Sequence, residues 1–316
     1  MWKNIQPPEI RYGLNSAQNF KYPTNSLIIT SKNAISRGWI DYLKIKDNYI
    51  YDDVEPNPSV DNIEKINLEF GQVDFSCVIG IGGGSSIDVA KFFAFKNKKM
   101  KIMIPTTFGT GSEVTRISVL NVNGKKTSFH DDHILSDVAI IDPFFLKNTP
   151  FELVKNSAID SCAQCSEAFD SKLANIFTKF LCDDAFQILE DALIAKNYMN
   201  LPYGAMLSGL GFGNSSTTLG HALSYVYSNE GYSHGHALAF TTTIAHKYNE
   251  SKFYKKFKQL VAKLNFEPIS LKQDFEEAAK IIMTDRKHLD YNPKPISKEI
   301  IIDLLTKIDN KHIDDI

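Results

Sequence analysis

The chain has 316 residues, of which 43% are hydrophobic and 23% are charged, and its formal net charge is −2. This is an ordinary globular composition, long enough for two domains with substantial cores. We expect no membrane span and no signal-peptide core at the N-terminus, because the sequence has no apolar run of sufficient length. We expect no nucleic-acid partner, because the net charge is near neutral and there is no basic block. Four cysteines in a chain of this length do not indicate a disulfide scaffold. We therefore expect a cytoplasmic protein.

Two short apolar runs begin the predicted sheet. Residues 26–30 predict a strand that ends in a polar turn at Ser31, and residues 48–51 predict a second strand that leads to a Pro-Asn-Pro turn around Asn57. Residues 62–69 have the periodicity of a helix. Strands and helices that alternate in this way are typical of a mostly parallel α/β sheet.

A glycine-rich turn joins the next predicted strand, which contains Ile79, to a helix. Gly82, Gly83 and Gly84 stand at the turn, and two serines follow them. A helix N-terminus presents free N–H groups and a partial positive charge to a phosphate, and glycines let a pyrophosphate approach the backbone. Taken alone, the pattern also fits a tight turn that binds nothing.

A second polar loop follows the predicted strand at residues 101–105. Its hydroxyl groups come from Thr106, Thr107, Thr110 and Ser112. Because the loops at the carboxyl ends of neighbouring parallel strands meet at one crevice, two such loops on successive strands favour a nucleotide site.

The predicted secondary structure changes from mixed strands and helices to helices alone after residue 142. Residues 116–121 and 126–129 predict a hairpin around Asn123-Gly124, and residues 137–142 predict the last strand. From Phe151 onward the periodicity is that of amphipathic helices. We predict an α/β dinucleotide-binding domain over residues 1–148 and an all-helical domain over residues 149–316.

The two loops together resemble the iron-containing (group III) alcohol dehydrogenase family. The matching motifs are Gly-Gly-Gly-Ser-Ser-Ile-Asp-Val-Ala-Lys at 82–91 and Pro-Thr-Thr-Phe-Gly-Thr-Gly-Ser-Glu at 105–113. The resemblance implies a dehydroquinate synthase-like fold: a Rossmann-like nucleotide domain, then a helical domain for metal and substrate. It further implies NAD(P)H-dependent interconversion of a small aldehyde or ketone and its alcohol, by a homodimer or larger homo-oligomer.

The resemblance also assigns the nucleotide-binding residues. An acidic residue that bonds the adenosine ribose usually stands where this chain has Ser31, and Lys32 is its neighbour. A small neutral residue beside a cation favours NADP(H) over NAD(H). Alternatively, Ser31 is only a helix cap. Lys126 is either a cofactor ligand or a solvated hairpin residue. The implied cofactor residues are Ser31, Asn57, Gly82, Gly83, Gly84, Ser85, Ser86, Asp88, Thr106, Thr107, Thr110, Ser112 and Lys126.

A divalent metal site, for Fe²⁺ or Zn²⁺, is implied in the helical domain. Asp160 and His234 match two metal ligands of the family. Gln164 stands where the family usually has a histidine, and Thr217 stands in place of another. The implied ligands are Asp160, Gln164, His221 and His234, and the implied catalytic residues are His221 and His234. The position of His221, one helical turn after Thr217, makes it a substitute ligand or a proton donor.

Several alternatives stay open. Gln164, Thr217-Thr218 and the Ser-His-Gly-His-Ala run at 233–237 resemble a subgroup that reduces phosphonate-bearing aldehydes, such as phosphonoacetaldehyde reductase. Without a metal, His221 or His236 is the predicted proton donor. A dehydroquinate synthase-like cyclase or lyase, or a nucleotide-binding protein with a decayed metal site, are the competing functions. The Cys162–Cys165 pair is predicted to be buried, with a metal or redox role as its alternative.

Overall fold

The computed structural model describes residues 3–147 and 149–316, and it contains two compact units. One unit spans Lys3–Thr149 and the other Pro150–Ile316. In the described parts of the chain, no helix is long and apolar enough to cross a membrane.

The first unit is built on a six-stranded parallel sheet with the order β1-β8-β5-β4-β2-β3. The interior strands carry continuous apolar runs because helices cover both faces of a parallel sheet. The strands of this sheet are β1 Glu9–Tyr12, β2 Ser26–Ile29, β3 Asn48–Tyr51, β4 Cys77–Gly82, β5 Met100–Pro105 and β8 Val138–Ile141.

Helices and a hairpin complete this unit. The antiparallel hairpin turns at Asn123-Gly124, as the sequence predicted, with both turn residues at positive φ. The helices are α1 Lys32–Ser36, α2 Trp39–Leu43, α3 Val60–Phe70 and α4 Gly84–Lys96, the hairpin strands are β6 Ile117–Val122 and β7 Lys125–His130, and 3₁₀ turns lie at Ser112–Val114, Asp132–Ile134 and Pro143–Leu146.

The predicted parallel sheet and the helical second half are confirmed, but β1 was not predicted. Its four residues are partly exposed, so they lack the apolar signal of the interior strands. Pairing with β8, some 130 residues away in the sequence, makes this segment a strand. Local sequence carries no trace of such a partner.

The second unit is helical throughout its described residues. Its long first helix, α5, buries both a polar row and an apolar row, which is unusual for a helix without a site. The helices are α5 Phe151–Asp170, α6 Ile176–Ile194, α7 Leu201–Gly213, α8 Leu219–Asn229, α9 His234–Asn249, α10 Tyr254–Leu264, α11 Phe275–Met283, α12 Arg286–Asp290 and α13 Lys298–Ile308, with 3₁₀ turns at Tyr198–Asn200 and Ile313–Asp315.

Candidate cofactor and metal sites

The glycine turn has the geometry of a phosphate cradle. Gly82 has φ +149°, a value that favours glycine, and a Cβ there would lie 2.6 Å from the Ser86 Oγ. A Cβ on Gly84 would lie 2.8 Å from the Thr110 side chain. The turn leads directly into α4, whose cap residue Gly83 contributes no side chain. The backbone at the start of this 13-residue helix is therefore accessible to an anionic group.

The hydroxyl-rich loop is fastened to this turn. The Thr106 N–H donates to the Gly82 carbonyl at 2.9 Å, which continues the pairing of β4 with β5. The Ser112 hydroxyl donates to Asp88, and Asp88 also accepts a hydrogen bond from the Val119 N–H at 3.1 Å. Asp88 and Ser112 thus bond one another in a buried network, and in this structure they position the two loops.

Lys91 lies at the centre of that network. Its side chain is fully buried, and Nζ donates to the carbonyls of Ser112 at 2.6 Å, of Thr115 at 3.0 Å, and of Ile117. Burial lowers the pKa of Lys91 to about 8, against the opposing effect of the Asp88 carboxylate. Three carbonyls on one cation hold the second loop against α4.

The other residues predicted to bind the nucleotide lie at the surface of the first unit. Ser31 occupies the N-cap position of α1, but its side chain makes no cap hydrogen bond. Lys32 Nζ lies 2.9 Å from Asp53 Oδ1, a partner that the sequence did not indicate. Asn57 has a positive φ of 52° in its turn, and Lys126 is exposed on the hairpin strand β7.

Three of the four predicted metal ligands form one group in the second unit. The ligand atoms of Asp160, His221 and His234 all lie within 4.8 Å of one another. His221 Nε2 is 3.7 Å and His234 Nε2 is 3.9 Å from the same oxygen, Asp160 Oδ1. One buried carboxylate and two imidazole nitrogens aimed at one point are a donor set for a divalent ion.

Gln164 lies beside this group, one helical turn after Asp160 on α5. Its Nε2 donates to Asp160 Oδ1 at 2.9 Å. The other amide atom, Oε1, is buried, and within the described parts of the chain it has no hydrogen-bond partner. A buried carbonyl oxygen without a partner is costly. A metal ion bound to the neighbouring carboxylate would remove this cost if Oε1 turned toward it.

Glu167 holds His221 in place, and the sequence interpretation missed it. This carboxylate is 1% exposed, and it accepts hydrogen bonds from the Thr218 hydroxyl at 3.1 Å, the Gly220 N–H, the His221 N–H at 3.3 Å and His221 Nδ1. With Nδ1 bonded to Glu167, Nε2 is the atom that faces Asp160. A carboxylate bonded to the far nitrogen of a histidine ligand fixes its orientation and raises its basicity.

The charges of this pair stabilise each other. Burial by itself lowers the pKa of His221, but the Glu167 charge and the hydrogen bonds to Asp160 and Glu167 outweigh it and raise the pKa to about 9. Burial likewise opposes ionisation of Glu167, yet the His221 charge and hydrogen bond lower its pKa to about 2. Without a metal, the pair is therefore a carboxylate and an imidazolium at neutral pH.

Two glycines allow the helices that carry the ligands to approach closely. A Cβ on Gly235 would lie 2.0 Å from the Asn156 carbonyl oxygen of α5, and a Cβ on Gly220 would lie 2.7 Å from Glu167 Oε1. The neighbour of Gly235 is backbone and cannot move aside. Glycine at these positions brings His234 and His221 within reach of Asp160.

A second carboxylate–histidine pair borders the group. His288 Nδ1 lies 2.6 Å from Asp285 Oδ2, and the His288 ring lies 6.2 Å from His221, centroid to centroid. Tyr225 lies against both His234 and His288, so the rings of Tyr225 and His288 border the ligand group. The Asp-x-x-His spacing within one helical turn was the available signal for this pair.

Four other residues considered from the sequence lie outside the ligand group. Thr217 is buried and contributes no ligand to it. His236, an alternative proton donor from the sequence, instead makes a hydrogen bond through Nε2 to the Glu267 carbonyl at 2.7 Å. Cys162 and Cys165 are buried within α5, and burial raises the pKa of both thiols, which keeps them protonated.

Two family models match successive parts of the chain. The model for iron-containing alcohol dehydrogenase matches residues 7–143, and the model for the C-terminal part of the Fe-containing alcohol dehydrogenase family matches residues 156–290. Together they span most of both units and confirm the resemblance seen in the two glycine- and hydroxyl-rich loops.

Similar proteins include enzymes that act on small acids and aldehydes. A 4-hydroxybutyrate dehydrogenase of Clostridium kluyveri is 28% identical over 315 residues, which cover 79% of this chain and 83% of the relative. A sulfoacetaldehyde reductase of Bilophila wadsworthia is 28% identical over 230 residues, and the match covers 63% of this chain and 59% of that enzyme. The chain thus spans less than two thirds of the second relative.

The fold matches a solved structure along nearly its whole length. A sulfoacetaldehyde reductase from Bifidobacterium kashiwanohense, solved in complex with NAD⁺, superposes with a TM-score of 0.87 at 22% identity, covering 98% of each chain. At this identity the superposition confirms the fold.

Proposed function

The chain belongs to the iron-containing alcohol dehydrogenase family, and we propose that it is a nicotinamide-dependent, metal-assisted reductase of a small aldehyde or ketone. The observation that carries the proposal is the convergence of Asp160, His221 and His234 within 4.8 Å. When bound, the nicotinamide supplies the hydride and a divalent ion acts as a Lewis acid toward the oxygen that becomes an alkoxide.

The residues present suit both groups. For the nucleotide, Gly82 and Gly84 form a tight turn that has no room for a Cβ, and this turn leads into the N-terminus of α4. For the metal, Asp160 supplies a carboxylate oxygen, His221 and His234 supply imidazole nitrogens, and the Gln164 carbonyl oxygen lacks a partner. Glu167 holds His221 with its Nε2 directed at the site.

This donor set predicts a site of moderate affinity. Two imidazole nitrogens and two oxygens are fewer soft donors than the three histidines that the family resemblance implies. Zinc and iron should therefore bind less tightly, and harder ions such as Mn²⁺ should be tolerated better. We expect one divalent ion per chain, removable by chelator.

For the substrate, we propose a short aldehyde that carries an anionic group. The subgroup resemblance points to phosphonate-bearing aldehydes, and the two curated relatives are named for a hydroxy acid and for a sulfonated aldehyde. The reverse reaction is oxidation of the corresponding alcohol. Turnover assays with phosphonate-, sulfonate- and carboxylate-bearing aldehydes, each beside an uncharged aldehyde of equal length, separate this substrate class from simple alkanals.

Metal analysis combined with a matched histidine pair tests the mechanism. His234→Ala should lose the metal and carbonyl reduction but keep nicotinamide nucleotide binding, because the glycine cradle belongs to the other unit. His236→Ala changes a histidine on the same helix that contacts a carbonyl instead, and it should keep the metal. Undiminished reduction by fully chelated enzyme would rule out the Lewis-acid mechanism and leave His221 as the proton donor.

We also propose that the protein is a cytoplasmic homo-oligomer, a dimer in the simplest case, without a nucleic-acid partner. Ile176 and Phe180 support self-association: they lie one helical turn apart on α6 and are 79% and 69% exposed. A net charge of −2 gives no electrostatic drive toward nucleic acid. Light scattering during size exclusion, with Phe180→Ser as the variant, measures the assembly.

A further inference from the structure

The end of β3 contributes a carboxylate to the edge of the sheet where nucleotides bind. β2 pairs with β4 on one side and with β3 on the other, all parallel. Ser31 follows β2, Gly82 ends β4, and Asp53 follows β3. Since ligands bind beyond the carboxyl ends of parallel strands, these residues share one edge.

Asp53 and Ser31 are neighbours at that edge. Their backbones form an antiparallel bridge. The Ser31 side chain is short, makes no helix-cap hydrogen bond, and carries no charge. Asp53 places a carboxylate next to it, and 49% of the Asp53 side chain is exposed to solvent.

The same contact changes the role of Lys32. Its Nζ lies 2.9 Å from Asp53 Oδ1, and the hydrogen bond and charge of Lys32 lower the pKa of Asp53, so this carboxyl is ionised. The positive charge on which the NADP(H) expectation depended is therefore already matched by a neighbouring negative charge. With the Asp53 charge this close, Lys32 adds little net attraction for a further anion at this edge.

The wider charge balance at this edge is negative. Asp52, Asp53 and Glu55 carry three negative charges, while Lys32 and Lys65 carry two positive ones, with Lys65 Nζ 3.4 Å from Glu55. The surplus is one negative charge. A 2′-phosphate would add further negative charge here and be repelled, whereas the two hydroxyls of an unmodified ribose donate well to a carboxylate.

We propose that Asp53 binds the adenosine ribose hydroxyls in place of the acid that Ser31 lacks, and that the enzyme prefers NAD(H) to NADP(H). This inference rests on the nicotinamide-dependent function proposed above. This preference is the reverse of the one expected from Ser31 and Lys32 alone, because Asp53, more than 20 positions later in the sequence, lies beside Ser31.

Fluorescence titration of the purified full chain with NADH and with NADPH tests the inference. Wild-type protein should bind NADH at least about tenfold more tightly. Asp53→Asn should weaken NADH binding and strengthen NADPH binding, moving the ratio of the two Kd values by about tenfold or more. Asp52→Asn removes the adjacent acid, which does not pair with Lys32 at hydrogen-bond distance, and it should change the ratio less than about threefold.

The possible outcomes separate the two proposals. Tighter NADPH binding by the wild type, or a Kd ratio unchanged in Asp53→Asn, overturns the assignment of Asp53 and leaves the reductase function standing. If neither nucleotide binds to the folded wild type, the nicotinamide-dependent function fails and this inference fails with it. Asp53→Ser serves as a second variant, and circular dichroism confirms that each protein is folded.

Discussion

Replacing Glu167 with glutamine should lower the pKa of His221 and destabilise the metal-free protein in a pH-dependent way. Glutamine keeps the size of the side chain but removes the charge that His221 and the Gly220 N–H share. Burial then opposes the imidazolium with only Asp160 left to favour it, so the pKa of His221 should fall well below about 9.

The magnitude follows from the His221 pKa. A rise from 6.5 to about 9 on folding corresponds to about 3 kcal/mol of stability. Because the folded pKa is the higher one, this contribution is complete below pH 6.5 and is lost as the pH rises through 9. The lowered pKa of Glu167 reflects the same ion pair. The stability that the Glu167 carboxylate contributes is therefore lost only at low pH, as the pH falls toward 2. The effect should be largest near pH 5–6.

Two measurements check this on chelated protein. Imidazole NMR should show a His221 pKa near 9 in the wild type and a clearly lower pKa in Glu167→Gln, with His221→Gln to assign the resonance. The loss of urea resistance in Glu167→Gln should be larger at pH 6 than at pH 9.5. Glu190→Gln is the control, because its carboxylate pairs with Lys256 and not with a histidine. An equal loss at both pH values would contradict the proposed charge pairing.

Three further variants test other parts of the site. Gly235→Ala should cost about 1–3 kcal/mol of stability and weaken metal binding, because its Cβ would lie 2.0 Å from the Asn156 carbonyl oxygen. Thermal melts measure the stability, and metal titration measures the affinity. Unchanged values would show that α5 and α9 can separate freely. Gly83→Val should abolish nucleotide binding in a folded protein, where its Cβ would already lie 3.1 Å from Thr107 Oγ1, as fluorescence titration would show. Gln164→His should tighten Co²⁺ binding by about tenfold in calorimetry, and an unchanged affinity would place Gln164 outside the coordination sphere.

Metal affinity itself should depend on pH. A metal on His221 Nε2 requires the neutral imidazole, and the Glu167 charge raises the pKa of His221 to about 9. Between pH 6 and 9, binding should therefore release one proton from this residue, and affinity should rise about tenfold per pH unit. Calorimetry in buffers of different ionisation enthalpy counts the protons.

The two glycine- and hydroxyl-rich loops were predictable because their physics is local. A left-handed backbone at Gly82 and the open start of α4 need particular residues at particular positions, and those residues are contiguous in the sequence. Motif and fold therefore followed from one stretch of chain, and the family match confirmed them. The apolar runs of the interior strands were local signals of the same kind.

Tertiary structure decided which side chains share a site. Glu167 reaches His221 from α5, and Asp53 reaches Ser31 from another strand. His288 and β1 likewise depend on partners far along the chain. A short motif specifies its own backbone, but the charge of a neighbour acts through space and falls off with distance. The sequence by itself therefore determined the fold class and the family, whereas only the folded chain determined the ionisation of His221 and the charge beside Ser31.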